Sequence, residues 1–320
     1  MFQPTDLSLW AGRVDTEEAA EFSCRLHQRV QPLAGQRNAL ALLGFCSDEG
    51  VRRNQGRIGA RNGPDRLRRA LANLPWPANQ PVYDAGNLLC QAQNLEQAQQ
   101  ALADRVSHCL AAGHLTFILG GGHEMAYGSW LGLLQALQQQ ELTPELPTIG
   151  IVNFDAHFDL RQDSQGASSG TPFYQIDQQC KALGIPFNYC CLGVSETANT
   201  QALFQRAATL GVNYRRDTEM TITQLEDSLQ QLQRFMSDCD QIYLSIDLDV
   251  LPASVAPGVS APAARGVNLE VLEPLISAVA RSGKLKLADI AEYNPDFDID
   301  NWTARVAARL FHLITTGALS

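Results

Sequence analysis

The chain has 320 residues, 45% of them hydrophobic and 18% charged, and a formal net charge of -10. This composition suits a folded globular protein and excludes global disorder, while the acid excess argues against a general binder of nucleic-acid phosphates, which needs clustered Lys and Arg. No apolar run reaches the ~18 residues of a membrane helix, and the amino terminus MFQPTDLSLW lacks a basic segment followed by an apolar one, so a soluble, cytoplasmic protein without membrane association is expected.

After a polar amino-terminal segment, residues 39–45 (ALALLGF) form an apolar run suited to a buried strand. A long loop rich in Gly and Arg follows, with Arg52, Arg53, Arg57 and Arg61; each arginine taken singly reads as a surface pair. Pro64 and Asp65 open a helix with Leu67, Leu71 and Leu74 on one face. Residues 81–83 suggest a short strand, 94–112 a helix, 115–119 (LTFIL) a buried strand and 127–140 a helix. Strands are expected at 149–152, 188–192, 212–214, 241–246 and 285–290, with helices at 200–210, 222–236, 269–281 and 302–314. Thr221 with Gln224 resembles a capping box, and QDSQGASSGTPF reads as a loop. Strand and helix alternate throughout, which predicts a three-layer α/β/α fold with a central, mostly parallel sheet. One domain over 1–320 is expected, and the eight scattered cysteines read as free thiols.

Three strand ends carry chemistry. The stretch NFDAHFDLR presents Asp155, His157 and Asp159 after an apolar strand. In an extended chain the two aspartates would stand about 13 Å apart, so the backbone must curl after Asp155 for them to share an ion. The strand LTFIL runs into Gly120, Gly121 and Gly122, then His123; three glycines permit a sharp turn, although a lone His there would ordinarily be structural. The strand QIYLSI ends in Asp247, with Asp249 two residues on, on the same face if the strand continues. Buried carboxylates need a cation or a partner. Four carboxylates and two neutral imidazoles carry a charge of -4 that two divalent cations balance, and oxygen-rich ligation favours Mn²⁺ over Zn²⁺. Two such ions a few ångströms apart share a water and lower its pKa.

The motifs GGGHE, DAHFD and SIDLDVLPASVAPGVSAP, followed by IAEYNP, resemble those of the arginase and agmatinase superfamily, the manganese ureohydrolases. The resemblance extends from about residue 40 to the carboxyl terminus. It implies an arginase-like fold and two Mn²⁺ per subunit, with His123 and Asp159 on one ion, His157 and Asp249 on the other, and Asp155 and Asp247 bridging. It further implies a catalytic role for Asp159 as proton carrier, and for Glu292 in IAEYNP as partner of the cationic head of a small-molecule substrate. Within the superfamily the variants GGGHE, SSGTPF and PGVSAPAARG are most similar to the branch that hydrolyses N-formimidoyl-L-glutamate to L-glutamate and formamide; agmatine, arginine and guanidino acids are the rival substrates. The loop after DAHFD departs from the pattern: it has Ser169, Gly170, Thr171 where relatives have a proton-shuttling His, which leaves an arginase-style relay without its histidine. Arg161, Ser169 and Thr171 are the expected substrate contacts, with Arg57 and Arg265 as alternatives for the carboxylates. A homo-oligomer is compatible with this reading.

Overall fold

The computed structural model describes residues 1–139 and 146–319. Ten strands form one sheet: β1 (Phe2–Gln3), β2 (Val30–Pro32), β3 (Leu40–Cys46), β4 (Val82–Leu89), β5 (Leu115–Leu119), β6 (Ile149–Phe154), β7 (Asn188–Val194), β8 (Asn213–Arg216), β9 (Gln241–Asp247) and β10 (Leu285–Ala291). Their order is β1-β4-β3-β5-β10-β9-β6-β7-β8, with β2 also on β4, and every pairing is parallel except β1 with β4. The helices are α1 (Glu49–Arg53), α2 (Gly63–Leu71), α3 (Leu95–Ala111), α4 (Met125–Gln139), α5 (Pro172–Leu183), α6 (Gln201–Thr209), α7 (Leu225–Ser237), α8 (Leu269–Ala280) and α9 (Trp302–Ala318). Gln140, placed in a helix by sequence, lies outside the described residues.

Successive strand residues point to opposite faces, and each face carries its own core. Leu42, Val152, Leu244 and Ile290 pack with side chains of α2, α7, α8 and α9. Leu43, Ile151, Tyr243 and Leu287 pack with those of α3, α4, α5 and α6. Strands buried on both faces read as unbroken apolar runs, which is why most of them were legible in the sequence.

The differences from expectation have local causes. β4 continues to Leu89, well past Tyr83, through polar Asp84 and Asn87, because the buried Arg68 guanidinium donates to Asp84 at 2.8 and 2.9 Å and to Asn87 at 2.7 Å. Helix α5 was not expected; Pro172 opens it and Gly184, with φ of 67°, closes it in the left-handed region. The Thr221 capping box does not form: residues 222–224 make a 3-10 turn, α7 starts at Leu225, and Thr221 donates instead to the Gln224 side chain at 2.9 Å.

The sheet places β5, β10, β9 and β6 side by side. Their carboxyl ends deliver His123, Glu292, Asp247 and Asp155 to one edge, the place where open α/β sheets bind ligands.

Candidate active site

Strand β6 stops at Phe154, and the next residues curl as the ligand spacing requires: Asp159 sits at φ of 48°, a left-handed conformation uncommon outside glycine. Asn199 holds the curl by accepting from the Phe158 amide at 3.1 Å and donating to the Ala156 carbonyl at 2.9 Å. The Asp155 carboxylate is fully buried and reaches both imidazoles, with Oδ2 at 3.2 Å from His123 Nδ1 and Oδ1 at 3.5 Å from His157 Nδ1. Asp159 and Asp247 complete the surroundings of His123 Nδ1 at 3.0 and 3.2 Å, and Asp249 stands 2.9 Å from His157 Nδ1. All six expected ligands therefore converge in two groups joined by Asp155: His123, Asp155, Asp159 and Asp247, then Asp155, His157 and Asp249, with ligand atoms in each group within 4.8 Å of one another. Asp249 is not on the strand, as its spacing suggested, but in a 3-10 turn after β9. The turn separates the two carboxylates, and Asp247 Oδ1 accepts the Asp249 amide at 2.8 Å.

The donor set fits divalent cations. His123 Nε2 lies 2.9 Å from the Ser245 hydroxyl, which donates at 2.6 Å to Asp289, and Asp289 also accepts from Tyr243. With the Ser245 proton committed to Asp289, the imidazole donates from Nε2, which leaves Nδ1, facing the carboxylates, as the atom that would ligate a cation. That Nδ1 is buried and has no hydrogen-bond partner. Ordered outer contacts of this kind fix the ligating tautomer.

Among protein groups alone the cluster is electrostatically strained. Burial, then the Asp155 charge, pushes Asp159 up to about 6; burial, then Asp249 and Asp155, pushes Asp247 up to about 7. Burial opposes charge on both histidines, but the carboxylates around them prevail and raise His123 and His157 well above the usual imidazole value. Burial likewise opposes the Asp155 charge, and the two imidazoles outweigh it, drawing its carboxyl below the usual range. Cations between these groups would replace protons as the balancing charge.

Glu292 follows β10 at φ of 63°; its amide donates to the Gly121 carbonyl and its Oε1 accepts the His123 amide, both at 2.8 Å. Its Oε2 is buried without a partner. Burial, then the charges of Asp247 and Glu124, holds the carboxyl well above its usual value, so a cationic ligand would be stabilised beside it.

A cavity of about 340 Å³ opens onto these groups, lined also by Asn54, Gln55, Arg57, Arg161 and Ser169. Arg161 is exposed and forms no ion pair among the described residues, so neither Asp163 nor Glu124 holds it. It also borders an adjoining cavity with Arg53, Arg206 and Thr171. Thr171 is not in the first cavity: its hydroxyl accepts the Ser168 amide at 2.9 Å and donates to the Ser168 carbonyl at 3.0 Å, turning the loop into α5. Arg57 is engaged with the carbonyls of Val259 at 2.5 Å and Ser260 at 2.9 Å. Arg265 is exposed and does not line the cavity. Sequence reasoning missed Asn54, Gln55, Ser245 and Asp289. Asp289 had a signal, a carboxylate inside an apolar strand, while the loop residues had none.

A family model for the arginase family matches residues 38–316. The chain belongs to the arginase family. A formimidoylglutamase of Aeromonas hydrophila is 54% identical over 314 residues, covering 97% of this chain and 98% of that one. One from Chromobacterium violaceum is 53% identical over 306 residues, covering 95% and 96%. The crystal structure of a formimidoylglutamase from Bacillus subtilis superposes with a TM-score of 0.81 at 22% identity over 96% of this chain and 94% of that one, a likeness of fold. A Trypanosoma cruzi formiminoglutamase variant with Mn²⁺ gives a TM-score of 0.77 at 25% identity, covering 92% and 97%. The arginase-like α/β fold expected from the motifs is thereby confirmed.

Proposed function

We propose that this chain hydrolyses N-formimidoyl-L-glutamate to L-glutamate and formamide, using two Mn²⁺ per subunit. The observation that carries the reading is the likeness, over nearly the whole length of both chains, to relatives named for this reaction. The convergence of all six ligand residues on one sheet edge supports it. His123, Asp155, Asp159 and Asp247 would hold one ion and His157, Asp249 and Asp155 the other. When bound, the pair supplies a water of lowered pKa as nucleophile.

The chain's own residues do the rest. The formimidoyl group is an amidine, planar and cationic at neutral pH, and the buried, unpartnered Glu292 Oε2 is an acceptor for its N–H. Asp159, which lines the cavity beside His123, takes a proton from the attacking water and passes it to the departing glutamate nitrogen. Ser169 cannot perform that transfer near neutral pH, because a hydroxyl does not titrate there; it serves as a hydrogen-bond donor. Arg161, which has no carboxylate partner among the described residues, meets the substrate carboxylates. A panel of formimidoylglutamate, arginine, agmatine and guanidinobutyrate, assayed after Mn²⁺ loading, tests the reading. Preferential hydrolysis of formimidoylglutamate is expected; faster turnover of any guanidino compound refutes it.

A further inference from the structure

Glu124 follows a metal ligand in sequence, yet its carboxylate is bound to a different part of the fold. Its Oε1 accepts from the Ser47 hydroxyl at 2.8 Å and from the Gly50 amide at 2.9 Å. The side chain is fully buried, and two glycines make room for it: a Cβ on Gly50 would stand 2.5 Å from Glu124 Cδ, and one on Gly122 would stand 2.0 Å from Oε2. Oε2 has no hydrogen-bond partner among the described residues, which costs free energy; the Oε1 contacts bind the start of α1 to the glycine loop.

Helix α1 has five residues, too few to be stable on its own hydrogen bonds, so tethers set its place. Arg53 ties its far end to Glu96 and to the Ala167 carbonyl at 2.6 and 3.0 Å. Asn54, next in the chain, crosses the cavity wall and donates to the Ser169 hydroxyl oxygen at 3.1 Å. A hydroxyl that accepts in this way keeps its own proton free, and Ser169 lines the cavity with Arg161.

We propose that Glu124 is a positioning residue for substrate selectivity: it fixes the first turn of α1, and so places Asn54 and, through Asn54, the Ser169 hydroxyl to receive a carboxylate at the end of the substrate remote from the amidine. The identity of that substrate rests on the hydrolysis reading above. The role is distinct from holding metal, because the His123 ring is oriented from the other side by Ser245.

Kinetics of the Mn²⁺-loaded full chain test this. Glu124→Ala and Asn54→Ala should each raise KM for formimidoylglutamate about tenfold with kcat within about twofold, and elemental analysis should find both metals retained. The double variant should be no worse than Asn54→Ala alone, since the two residues act in series. Glu124→Gln keeps an acceptor oxygen and should recover most of the loss. Loss of metal, a fall in kcat at unchanged KM, or additive effects in the double variant would overturn the proposal. If Glu124→Ala does not fold, Ser47→Ala removes one tether donor and must raise KM in the same pattern; an unchanged KM there overturns it as well. Absence of formimidoylglutamate hydrolysis by the unmodified protein overturns the substrate reading and this proposal together, whereas normal hydrolysis with unaffected variants overturns this proposal alone.

Discussion

Arg161 and Ser245 show how single side chains divide the work of the site. Arg161 borders both cavities and has no carboxylate partner among the described residues, and a guanidinium holds a carboxylate through two parallel hydrogen bonds that an ammonium cannot reproduce. Arg161→Lys should therefore retain its metals and weaken formimidoylglutamate binding by about 1.5 to 3 kcal/mol, measured as a higher KM at nearly constant kcat. Unchanged kinetics in both Arg161→Lys and Arg161→Ala would remove it from the substrate site. Ser245 is buried and does not line the cavity; it connects the His123 ring to Asp289 at 2.9 and 2.6 Å. Outer contacts of this type are worth about 10- to 100-fold in metal affinity, so Ser245→Ala should show that loss when Mn²⁺ binding is titrated, with helical and sheet signals intact. Equal Mn²⁺ affinity in the variant would show that the ring is held by other contacts.

At the scale of elements, the polar half of β4 depends on α2. Arg68 is 1% exposed and its partner Asp84 is equally buried, and Asp84 also accepts from Trp10 Nε1 at 2.8 Å and from the Gly86 amide at 2.9 Å. Removing one member of a buried pair leaves the other charge uncompensated, at a cost of about 3 to 5 kcal/mol. Arg68→Met should destabilise the protein by that amount in denaturant unfolding, and Arg68→Met with Asp84→Leu should recover much of it. A loss below ~1 kcal/mol for the single variant would show that the charge of Asp84 is carried by its other donors. The same logic explains why β4 was read too short: its sequence turns polar at Asp84, and only the guanidinium brought by α2 makes that residue compatible with a buried strand.

Across the whole molecule, the metal cluster links stability to pH. Asp159 and Asp247 are raised to about 6 and about 7 from an ordinary value near 3.8. Between those limits the folded protein holds protons that the unfolded chain has released, so stability falls as pH rises. The raised histidines act in the same direction, because their contribution is complete below about 6.5 and is lost as pH climbs through their folded values. Asp155 is lowered; its contribution is complete above the ordinary carboxylate range and stays constant in this window. Chelator-treated protein should therefore melt at a lower temperature at about pH 8 than at about pH 5.5, and saturating Mn²⁺ should reverse that order, since ligands bind metal in their deprotonated forms. A melting temperature of the chelated protein that rises over this interval would contradict the electrostatic account.

The amino-acid sequence by itself determined the alternation of strands and helices and pointed to the six His and Asp side chains that converge at one sheet edge. Strands buried on both faces must be apolar along their whole length, so LTFIL and QIYLSI announce themselves, and a carboxylate at the end of such a strand needs a cation or a partner. The curl after Asp155 followed from chain geometry alone, and the left-handed Asp159 accomplishes it. Tertiary structure alone decided which strand ends lie side by side, because β10 and β9 enter between β5 and β6 from a distant part of the chain. It also decided the joining role of Asp155, the separation of Asp247 from Asp249 by a 3-10 turn, and the wall formed by Asn54 and Ser169, which are 115 residues apart. Contacts of that kind leave no periodic trace in a sequence, since a polar loop residue has the same local composition whether it faces solvent or a substrate.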